Sequence, residues 1–563
     1  MAGMALQYPW LSHYPAGVPA TVDLPTESLV GLIARAAERD PKAVATSFFG
    51  ATMTYGQIWD QVLRLAEQLR RFGVGQGDRV AIILPNCPQH IIAFYAVMRL
   101  GAIAVEHNPL YTPRELRHMF EDHAARIAIC WDVAVPKLRQ QPEDIQLDHI
   151  ISVDLTEAMP ALTRFALRLP LPGLRGKRRQ LTVKAHHTVE WRKLIDGPKL
   201  RAKHPQPEPD RLAVIQYTSG TTAAPKGAML THRNLYVNAA QARAWLGCLK
   251  EGEETFYAIL PLFHSFGLTL AMTFGIMMRA RIVLFPTFDA AMVLSQARRR
   301  PPTLFGGVPP MFVALAELNR KRRVDLSQAK VSFSGAMKLT ADVQDLWSAN
   351  GGGILIEGYG LTEAAPVCFG NPLSDQRRLG TIGLPFPNIE AKVVDPDDLS
   401  RLRPPGEPGE LLVRGPNVFA GYWNNPVETA ETLLPGGWLR TGDIVEMDPD
   451  GFTTVVDRRK ELIITAGFNV APSEIETVLR GEPSIADVSV VGLPDARRGE
   501  IVVAAVVLKP GATLDEAAIR AYAKQRLARY KVPRRVVAVE ELPKSLLGKV
   551  LRAQVRQDLA DQL

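Results

Sequence analysis

A strand, a run of hydroxyl residues and glycines, and a helix follow one another between residues 212 and 245, and this order narrows the possible folds. The apolar stretch LAVIQYT predicts the strand, and NLYVNAAQARAWL predicts the helix. In α/β proteins, a loop outside the carboxyl end of a strand is where nucleotides bind. Similar alternation of helix-like and strand-like runs extends the α/β prediction to residues 28–200 and 210–379.

The loop between this strand and helix suits a polyphosphate. Its hydroxyls are hydrogen-bond donors, its glycines permit backbone shapes that expose N–H groups, and its lysine adds a positive charge. The predicted phosphate ligands are Thr218, Ser219, Gly220, Thr221, Thr222 and Lys226. The spacing is not GxxxxGK[ST], so a Walker-type P-loop is not expected, and an ordinary surface loop is the alternative.

Two later blocks favour a nucleotide site over a surface loop. EGYGLTEAAP follows the strand-like ILI; in it Tyr359 would stack on a base and Glu363 would ligate magnesium beside a triphosphate. WLRTGDI supplies Asp443, a carboxylate suited to accepting hydrogen bonds from both hydroxyls of a ribose.

Five blocks in this order resemble the adenylate-forming superfamily, which includes acyl-CoA synthetases, firefly-type luciferases and peptide-synthetase adenylation domains. After the three described above come VDRRKELIITAGFNVAPSEIE and LPKSLLGKVLR, so that the resemblance covers nearly the whole chain. PWLSHYPAGVPATVDLP, EHNPLYTPREL and the apolar Ile464 are most similar to bacterial long-chain fatty-acid–CoA ligases. For HNPLYTPREL, a strand end followed by a proline-started helix is the structural alternative.

The resemblance implies an α/β fold with a large N-terminal domain of two wound α/β subdomains plus a small β unit, followed by a smaller mobile α+β C-terminal lid domain. The expected bounds are 1–456 for the N-terminal core, with subdomains at 28–200, 210–379 and 380–456, and 457–563 for the lid. DRRK would join the two domains, with Lys460 as the hinge and Arg458 at the ribose.

The resemblance also implies a reaction. ATP converts a long-chain fatty acid to acyl-AMP with release of pyrophosphate, and CoA then takes the acyl group and frees AMP. Mg²⁺ is the expected cofactor with Glu363 as its ligand, and Lys549 would hold the carboxylate and α-phosphate oxygens. The other nucleotide-binding residues implied by the match are Gly335, Ala336, Glu357, Gly358, Tyr359, Gly360, Thr362, Asp443 and Arg458.

PLFHSFGLT resembles the family segment that lines the acyl pocket. His264 would lie near the substrate carboxylate, as part of the catalytic set, and Phe266 toward the chain. Gly306 and Gly307 would form another wall and leave room for a bulky or extended chain. The implied residues of the pocket and of the CoA path are His264, Phe266, Gly306, Gly307, Gly467 and Phe468.

The phosphate loop departs from the family pattern at one position. Ala223 stands where the family usually has glycine, and alanine in a left-handed conformation costs about 1 kcal/mol or more. Because the other diagnostic residues are present, we expect a slower or altered loop rather than an inactive enzyme.

Charge and cysteine content bear on the binding partners and the cellular compartment of the protein. The 563 residues carry a formal net charge of +8, but the basic residues are spread along the chain and no DNA- or RNA-binding module is evident, so nucleic acid is not an expected partner. The four cysteines show no CxxC spacing, and the start lacks the pattern of a secretory signal, which favours buried thiols and a cytoplasmic setting. An oligomer stays possible.

ALTRFALRLPLPGLRGKRRQ, residues 161–180, mixes leucines and phenylalanine with arginines and contains no acid. A short amphipathic helix followed by a polybasic tail would suit the inner, anionic face of a membrane. The alternative is a basic surface insertion that covers neighbouring core.

Two other functions fit the same motifs less closely. The nearer one is adenylation of a medium-chain or aryl acid, or transfer to a carrier protein instead of CoA. The more distant one is a non-catalytic acyl- or nucleotide-binding protein, against which Lys549 and Glu363 argue.

Overall fold

The computed structural model describes residues 8–142, 144–218, 225–465, 468–495, 499–527, 529–545 and 548–562. The predictions for Ser219, Gly220, Thr221, Thr222, Ala223 and Gly467 lie outside the described residues, as do the side chains of Lys460 and Phe468.

Strands run through the whole described chain. They are β1 (Val44–Phe48), β2 (Ala51–Thr54), β3 (Arg79–Ile83), β4 (Ile103–Glu106), β5 (Ile127–Trp131), β6 (His149–Val153), β7 (Val189–Glu190), β8 (Leu212–Thr218), β9 (Lys226–Thr231), β10 (Thr255–Ala258), β11 (Arg281–Leu284), β12 (Leu304–Gly307), β13 (Val331–Ser334), β14 (Leu355–Gly360), β15 (Val367–Gly370), β16 (Leu384–Pro385), β17 (Glu390–Val394), β18 (Gly409–Arg414), β19 (Leu433–Leu434), β20 (Trp438–Met447), β21 (Thr453–Arg458), β22 (Ile463–Thr465), β23 (Phe468–Val470), β24 (Ile485–Asp495), β25 (Gly499–Leu508) and β26 (Arg535–Ala538).

Helices connect most of these strands. They are α1 (Val30–Arg39), α2 (Tyr55–Arg71), α3 (Pro88–Arg99), α4 (Pro113–His123), α5 (Val135–Leu138), α6 (Ala161–Ala166), α7 (Pro172–Leu181), α8 (Trp191–Ile195), α9 (His232–Trp245), α10 (Ser265–Gly267), α11 (Phe274–Met277), α12 (Ala290–Arg299), α13 (Pro309–Arg322), α14 (Ala341–Ala349), α15 (Pro426–Thr432), α16 (Pro472–Leu479), α17 (Glu516–Lys524) and α18 (Arg552–Gln562). Short 3₁₀ turns lie at Pro9–His13, Asp132–Ala134, Leu155–Ala158, Thr362–Ala364 and Arg459–Glu461.

Two large sheets form the N-terminal part. One has the strand order β7-β6-β5-β3-β4-β8-β9 and is parallel except at the β8–β9 hairpin. The other has the order β16-β15-β14-β13-β12-β10-β11-β1-β2 and is parallel from β14 to β1. Strands of parallel sheets are buried on both faces, which explains continuous apolar runs such as RVAII in β3. The predicted α/β class is confirmed.

The strand pairing differs from the division into subdomains at 28–200 and 210–379. β1 and β2 join the second sheet through β11, whereas β8 and β9 join the first sheet through β4. One large hydrophobic cluster spans both sheets, and smaller clusters cover the other face of the first sheet. The sequence pattern predicted individual strands such as β8, but strand order depends on long-range pairing that a local pattern does not encode.

The rest of the described chain forms two smaller sheets. β17 to β21 make an antiparallel five-stranded sheet, and β22 to β26 make a second sheet that packs with α16, α17 and α18. The second sheet has hydrophobic clusters of its own, including Ile463, Val490 and Val506. This is the smaller C-terminal α/β domain that the resemblance implies.

Two segments show local structure that bears on the site. The expected order of strand, loop and helix omits β9, which pairs with β8 and makes Lys226 the first residue of a strand. The apolar segment FGLTLAMTFGIMM, residues 266–278, is a buried helical stretch, with a π-helical part at Leu268–Thr273 between α10 and α11. None of the described helices combines the length and apolar character that crossing a bilayer requires.

Asn86, just after β3, links the two large sheets. Its Nδ2 donates hydrogen bonds to the carbonyls of Ala258 and Leu260 at 2.9 and 2.8 Å, and its Oδ1 accepts one from the N–H of Leu262 at 2.8 Å. The residue is buried, so water cannot replace these bonds. Asn86 therefore fixes the start of the pocket segment PLFHSFGLT, just before His264.

We expect Asn86→Ala to destabilise the N-terminal core by about 2–4 kcal/mol, because three buried backbone groups lose their partner. The measurement is the apparent melting temperature by calorimetry, with Gln140→Ala, at an exposed amide, as the control. Equal melting temperatures for the two variants would contradict this role.

Candidate active site

Lys226 and Thr218 lie opposite each other at the two ends of the predicted phosphate loop. Lys226 forms a salt bridge with Glu428, and its Nζ lies 5.4 Å from the centroid of the Tyr422 ring. The side chains of Lys226 and Glu428 are 15% and 24% exposed, so water screens this pair only in part. The structure thus places a partly buried positive charge at the mouth of the loop.

Glu363 contacts Tyr422, the residue whose ring also lies near Lys226. The hydroxyl of Tyr422 donates a hydrogen bond to Oε1 of Glu363 at 2.6 Å. Thr362, the preceding residue, has its Oγ1 3.2 Å from Oγ of Ser265, where α10 begins. The EGYGLTEAAP turn therefore connects the phosphate loop to the predicted acyl pocket.

Asp443 is buried and already accepts from two groups. The Tyr359 hydroxyl donates to its Oδ2 at 2.5 Å, and Nε of Arg458 lies 3.1 Å from its Oδ1. Asp443 and Arg458 face each other in the register of β20 and β21. Burial and the Asp443 charge raise the pKa of Tyr359 well above its ordinary value, so its hydroxyl remains a donor.

Glu357 lies in the middle of β14 and pairs with Ser334, the first residue of the SGAM turn at residues 334–337. Its side chain accepts a hydrogen bond from the N–H of Leu339 at 3.1 Å, and burial raises its pKa to about 8. Within that turn Ala336 has a φ of 64°, a left-handed conformation that is uncommon for alanine. Glu357, Gly335 and Ala336 are thus neighbours, as the motif match implies.

EGYG is the C-terminal part of strand β14 rather than a turn, and its glycines are explained by close packing. A Cβ built on Gly358 would lie 1.9 Å from Cζ of Phe333, and one on Gly360 would lie 2.1 Å from the carbonyl oxygen of Pro366. Their contact with a nucleotide stays a prediction.

His264 is neutral and its tautomer is defined. Its Nδ1 accepts a hydrogen bond from the N–H of Phe266 at 3.3 Å, so the ring hydrogen is on Nε2, and burial lowers its pKa to about 4. Phe266 packs edge-on against Phe333, with ring centroids 5.9 Å apart. A Cβ built on Gly335 would lie 2.8 Å from Phe266, so the pocket segment and the SGAM turn share a wall.

The expectation that Gly306 and Gly307 leave open room is wrong for this structure. A Cβ on Gly306 would lie 2.0 Å from Cδ2 of Leu270, and one on Gly307 would lie 3.1 Å from Cε2 of Phe312. The π-helical stretch places Leu270 against β12, so the glycines make room for these side chains.

Lys549 reaches the site from the C-terminal domain. Burial, and then the Arg458 charge, lower its pKa, whereas Asp443 and Glu461 act in the opposite direction. The adjoining Gly548 faces α13, since a Cβ built on it would lie 3.6 Å from Cγ of Pro310. Lys549 is therefore close enough to Asp443 and Arg458 for their charges to act on it.

Arg552, three residues after Lys549, ties this loop to the segment that joins the two domains. It forms salt bridges with Asp457 at 3.4 Å, with Glu476 at 2.7 Å and with Glu461. Lys460 lies between Asp457 and Glu461 in the 3₁₀ turn Arg459–Glu461. One partly buried cation thus contacts carboxylates on both sides of the predicted hinge.

Sequence reasoning missed Tyr422, Glu428, Ser265 and Leu270. The first two belong to GYWNNPVET, which the sequence pattern assigns only to the small β unit; its proline-started helix signal places Glu428 in the first turn of α15.

A cavity of about 1040 Å³ beside α1, α9 and α11 is lined by none of the predicted site residues.

Family models match both parts of the chain. The model for the AMP-binding enzyme matches residues 33–423, and the model for the AMP-binding enzyme C-terminal domain matches residues 474–549.

Curated relatives match over nearly the whole length. The long-chain-fatty-acid–CoA ligase of Bacillus subtilis is 38% identical over 559 residues, which cover 99% of each chain. The protein of that name from Escherichia coli O157:H7 is 36% identical and covers 98% of each chain. The 4-coumarate–CoA ligase 1 of Arabidopsis thaliana is 33% identical over 91% of this chain and 89% of its own.

Solved structures share the fold. ATP-bound MatB from Rhodopseudomonas palustris superposes with a TM-score of 0.81 at 28% identity, over 95% of this chain and 99% of that one. A fatty acyl CoA synthetase from Mycobacterium tuberculosis gives a TM-score of 0.71 at 27% identity, with the same coverage.

We expect Glu357→Gln to flatten the pH dependence of stability. The folded protein keeps a proton on Glu357 up to about pH 8, whereas the unfolded chain loses it near the ordinary value of 4.5, so this residue destabilises the fold as pH rises through that window. The loss of melting temperature between pH 6 and 8.5 should be smaller in the variant. Glu446→Gln, at an exposed glutamate, is the control; equal slopes for both variants would refute the assignment.

Proposed function

The chain belongs to the family of AMP-binding enzymes, and we propose that it activates a long-chain fatty acid with ATP and transfers the acyl group to CoA. The observation that supports the proposal best is the buried Asp443, which pairs with Arg458 at 3.1 Å and accepts from Tyr359, within electrostatic range of Lys549. A lysine from one domain and acidic groups from another meet where an acid and a triphosphate must be brought together.

The first step has an electrostatic cost that these residues offset. A carboxylate oxygen attacks the α-phosphorus, a P–O bond forms, and the bond to pyrophosphate breaks. Both reactants are anions, so positive groups must surround them. In the proposal Lys226 and Thr218 hold the β- and γ-phosphates, and Lys549 holds the carboxylate and an α-phosphate oxygen.

Asp443 would bind the ribose hydroxyls. The carboxylate of Asp443 is buried, and its two oxygens accept from the Tyr359 hydroxyl and from the Arg458 guanidinium. A ribose diol offers two hydroxyl donors and can take up the free acceptor capacity of the same carboxylate. In this account Arg458 forms an ion pair with the carboxylate and contacts the sugar.

Glu363 fits the needs of a magnesium ion that arrives with ATP. Among the described residues no cluster of three or more acids, histidines or cysteines forms a metal cage. Magnesium in nucleotide sites usually takes one or two carboxylates and fills its other positions with phosphate oxygens and waters. The ion would neutralise phosphate charge, and Glu363 would hold it.

His264 and Phe266 would receive the acid. The neutral imidazole presents its Nε2–H as a donor, which suits a carboxylate without requiring a general base. Leu270 lies beside Gly306 and would border the acyl chain.

The second step needs Lys549 to leave, so that the CoA thiol can attack the acyl carbonyl and expel AMP. We assign this change to rotation of the C-terminal domain, residues 457–563, about Lys460, with Gly467 and Phe468 lining the pantetheine path. This motion parallels other enzymes in which domain closure gates the chemistry.

We expect purified protein with Mg²⁺ to consume CoA thiol in an ATP-dependent way, with the highest rate for long saturated acids. Lys549→Ala should lower acyl-AMP formation by about 10²-fold or more, because it removes charge stabilisation at the transition state. Lys544→Ala, which removes an exposed lysine of the same loop, should stay near wild type.

The alternatives give other outcomes in the same assay. A maximum with coumarate-type or medium-chain acids would replace the long-chain substrate, and AMP without thiol loss would indicate another acceptor. No AMP with any acid would favour a non-catalytic binding protein and overturn the proposal.

We also propose that residues 161–180 contact an anionic membrane, in keeping with a cytoplasmic protein peripheral at the inner face. Leu162, Phe165 and Leu171 are 84%, 67% and 54% exposed, beside many basic residues and no acid. The expected polybasic tail is helix α7, which keeps these charges on one short element. Exposed apolar side chains next to cations suit a lipid surface.

We expect the double variant Leu162→Ser and Phe165→Ser to bind vesicles of phosphatidylglycerol and phosphatidylcholine about tenfold less tightly, since two large side chains no longer enter the bilayer. Sedimentation with vesicles measures this, and Leu402→Ser with Leu514→Ser, at exposed leucines elsewhere, is the control. Equal binding by both pairs would contradict membrane contact through α6.

A further inference from the structure

Lys226 is already paired before any phosphate arrives. Glu428, in the first turn of α15, accepts its salt bridge, and the Tyr422 ring lies below the ammonium group. Both partners come from one stretch of chain, residues 422–428, that lies outside the phosphate loop. The lysine therefore has a defined resting position.

Backbone hydrogen bonds fix this stretch against β9. The N–H of Met229 donates to the carbonyl of Gly421, and the N–H of Trp423 donates to the carbonyl of Gly227, at 2.9 and 2.7 Å. The N–H of Glu428 is capped by Oδ1 of Asn425 at 3.1 Å. Glu428 is thus held rigidly relative to the strand that carries Lys226.

Tyr422, in the same stretch, also contacts the carboxylate of Glu363. Tyr422 donates to Glu363, the proposed magnesium ligand, at 2.6 Å, while its ring faces Lys226. A polyphosphate with its magnesium would need both Lys226 and Glu363, and each would have to exchange or share its present partner. For Lys226 that partner is an anion, which competes directly with phosphate.

We propose that Glu428 is the resting counter-ion of Lys226 and competes with polyphosphate for this lysine, so that it weakens the hold on ATP and speeds the departure of pyrophosphate. The inference rests on the proposed phosphate-binding role of Lys226. Glu428 is a positioning residue here, because it acts on the ligand through the lysine.

The test is calorimetric binding of inorganic tripolyphosphate and of pyrophosphate, each with Mg²⁺, to the full-length protein. Glu428→Gln should tighten binding about fivefold, the scale of one partly screened ion pair. In a Lys226→Ala background the same change should have little effect, because the lysine through which Glu428 acts is gone. Glu431→Gln, at an exposed glutamate of the same helix, should bind like wild type.

Several results would overturn the inference. These are unchanged or weaker binding by Glu428→Gln, and tightening that is equally large in the Lys226→Ala background, which would indicate plain charge repulsion. If Glu428→Gln does not fold, as judged by its melting curve, Glu428→Ala carries the same expectation.

Failure of the proposed function would look different. In that case wild type would bind no polyphosphate and would form no AMP. Normal AMP formation by wild type together with unchanged binding in Glu428→Gln would refute the counter-ion role alone.

Discussion

The exchange of strands between the two large sheets is the constraint on which the rest of the structure depends. Because β1 and β2 complete one sheet while β8 and β9 complete the other, neither sheet can form from one continuous segment. The two sheets consequently share a core. The β8–β9 hairpin of the predicted phosphate loop, strand β14 and helix α10 all belong to these sheets or follow one of their strands, so their geometry depends on the pairing of distant strands.

The site itself is assembled from polar groups that satisfy one another in the absence of substrate. Tyr359 and Arg458 face Asp443, Tyr422 binds Glu363, and Glu428 binds Lys226. Burying a polar group without a hydrogen-bond partner costs free energy. The side chains that would bind phosphates, a sugar and a metal therefore pair with one another inside the protein. Binding of substrate then becomes an exchange of partners, and its free energy is the difference between two well-satisfied states.

The sequence predicted much of this arrangement, for reasons that particular residues make clear. Strands such as LAVIQYT are largely apolar runs, and the blocks around Glu363, Asp443 and Lys549 are local motifs, so both could be recognised one segment at a time. The sequence did not reveal that β8 pairs with β9, that Leu270 fills the space beside Gly306, or that Glu428 binds Lys226 across 202 positions. Those features depend on contacts between remote segments and on side-chain volume, neither of which has a local signature.

The ion cluster around Arg552 has a consequence for motion. Asp457 and Glu461 stand on opposite sides of Lys460, and one guanidinium contacts both. Any change in the backbone angles at Lys460 must alter the separation of these carboxylates and so disturb a cluster that is shielded from water. Dissolved ions screen a partly buried cluster less than an exposed one, so a barrier to rotation at the predicted hinge would depend little on ionic strength. At that hinge the Arg552 cluster would favour one angle between the two domains over others.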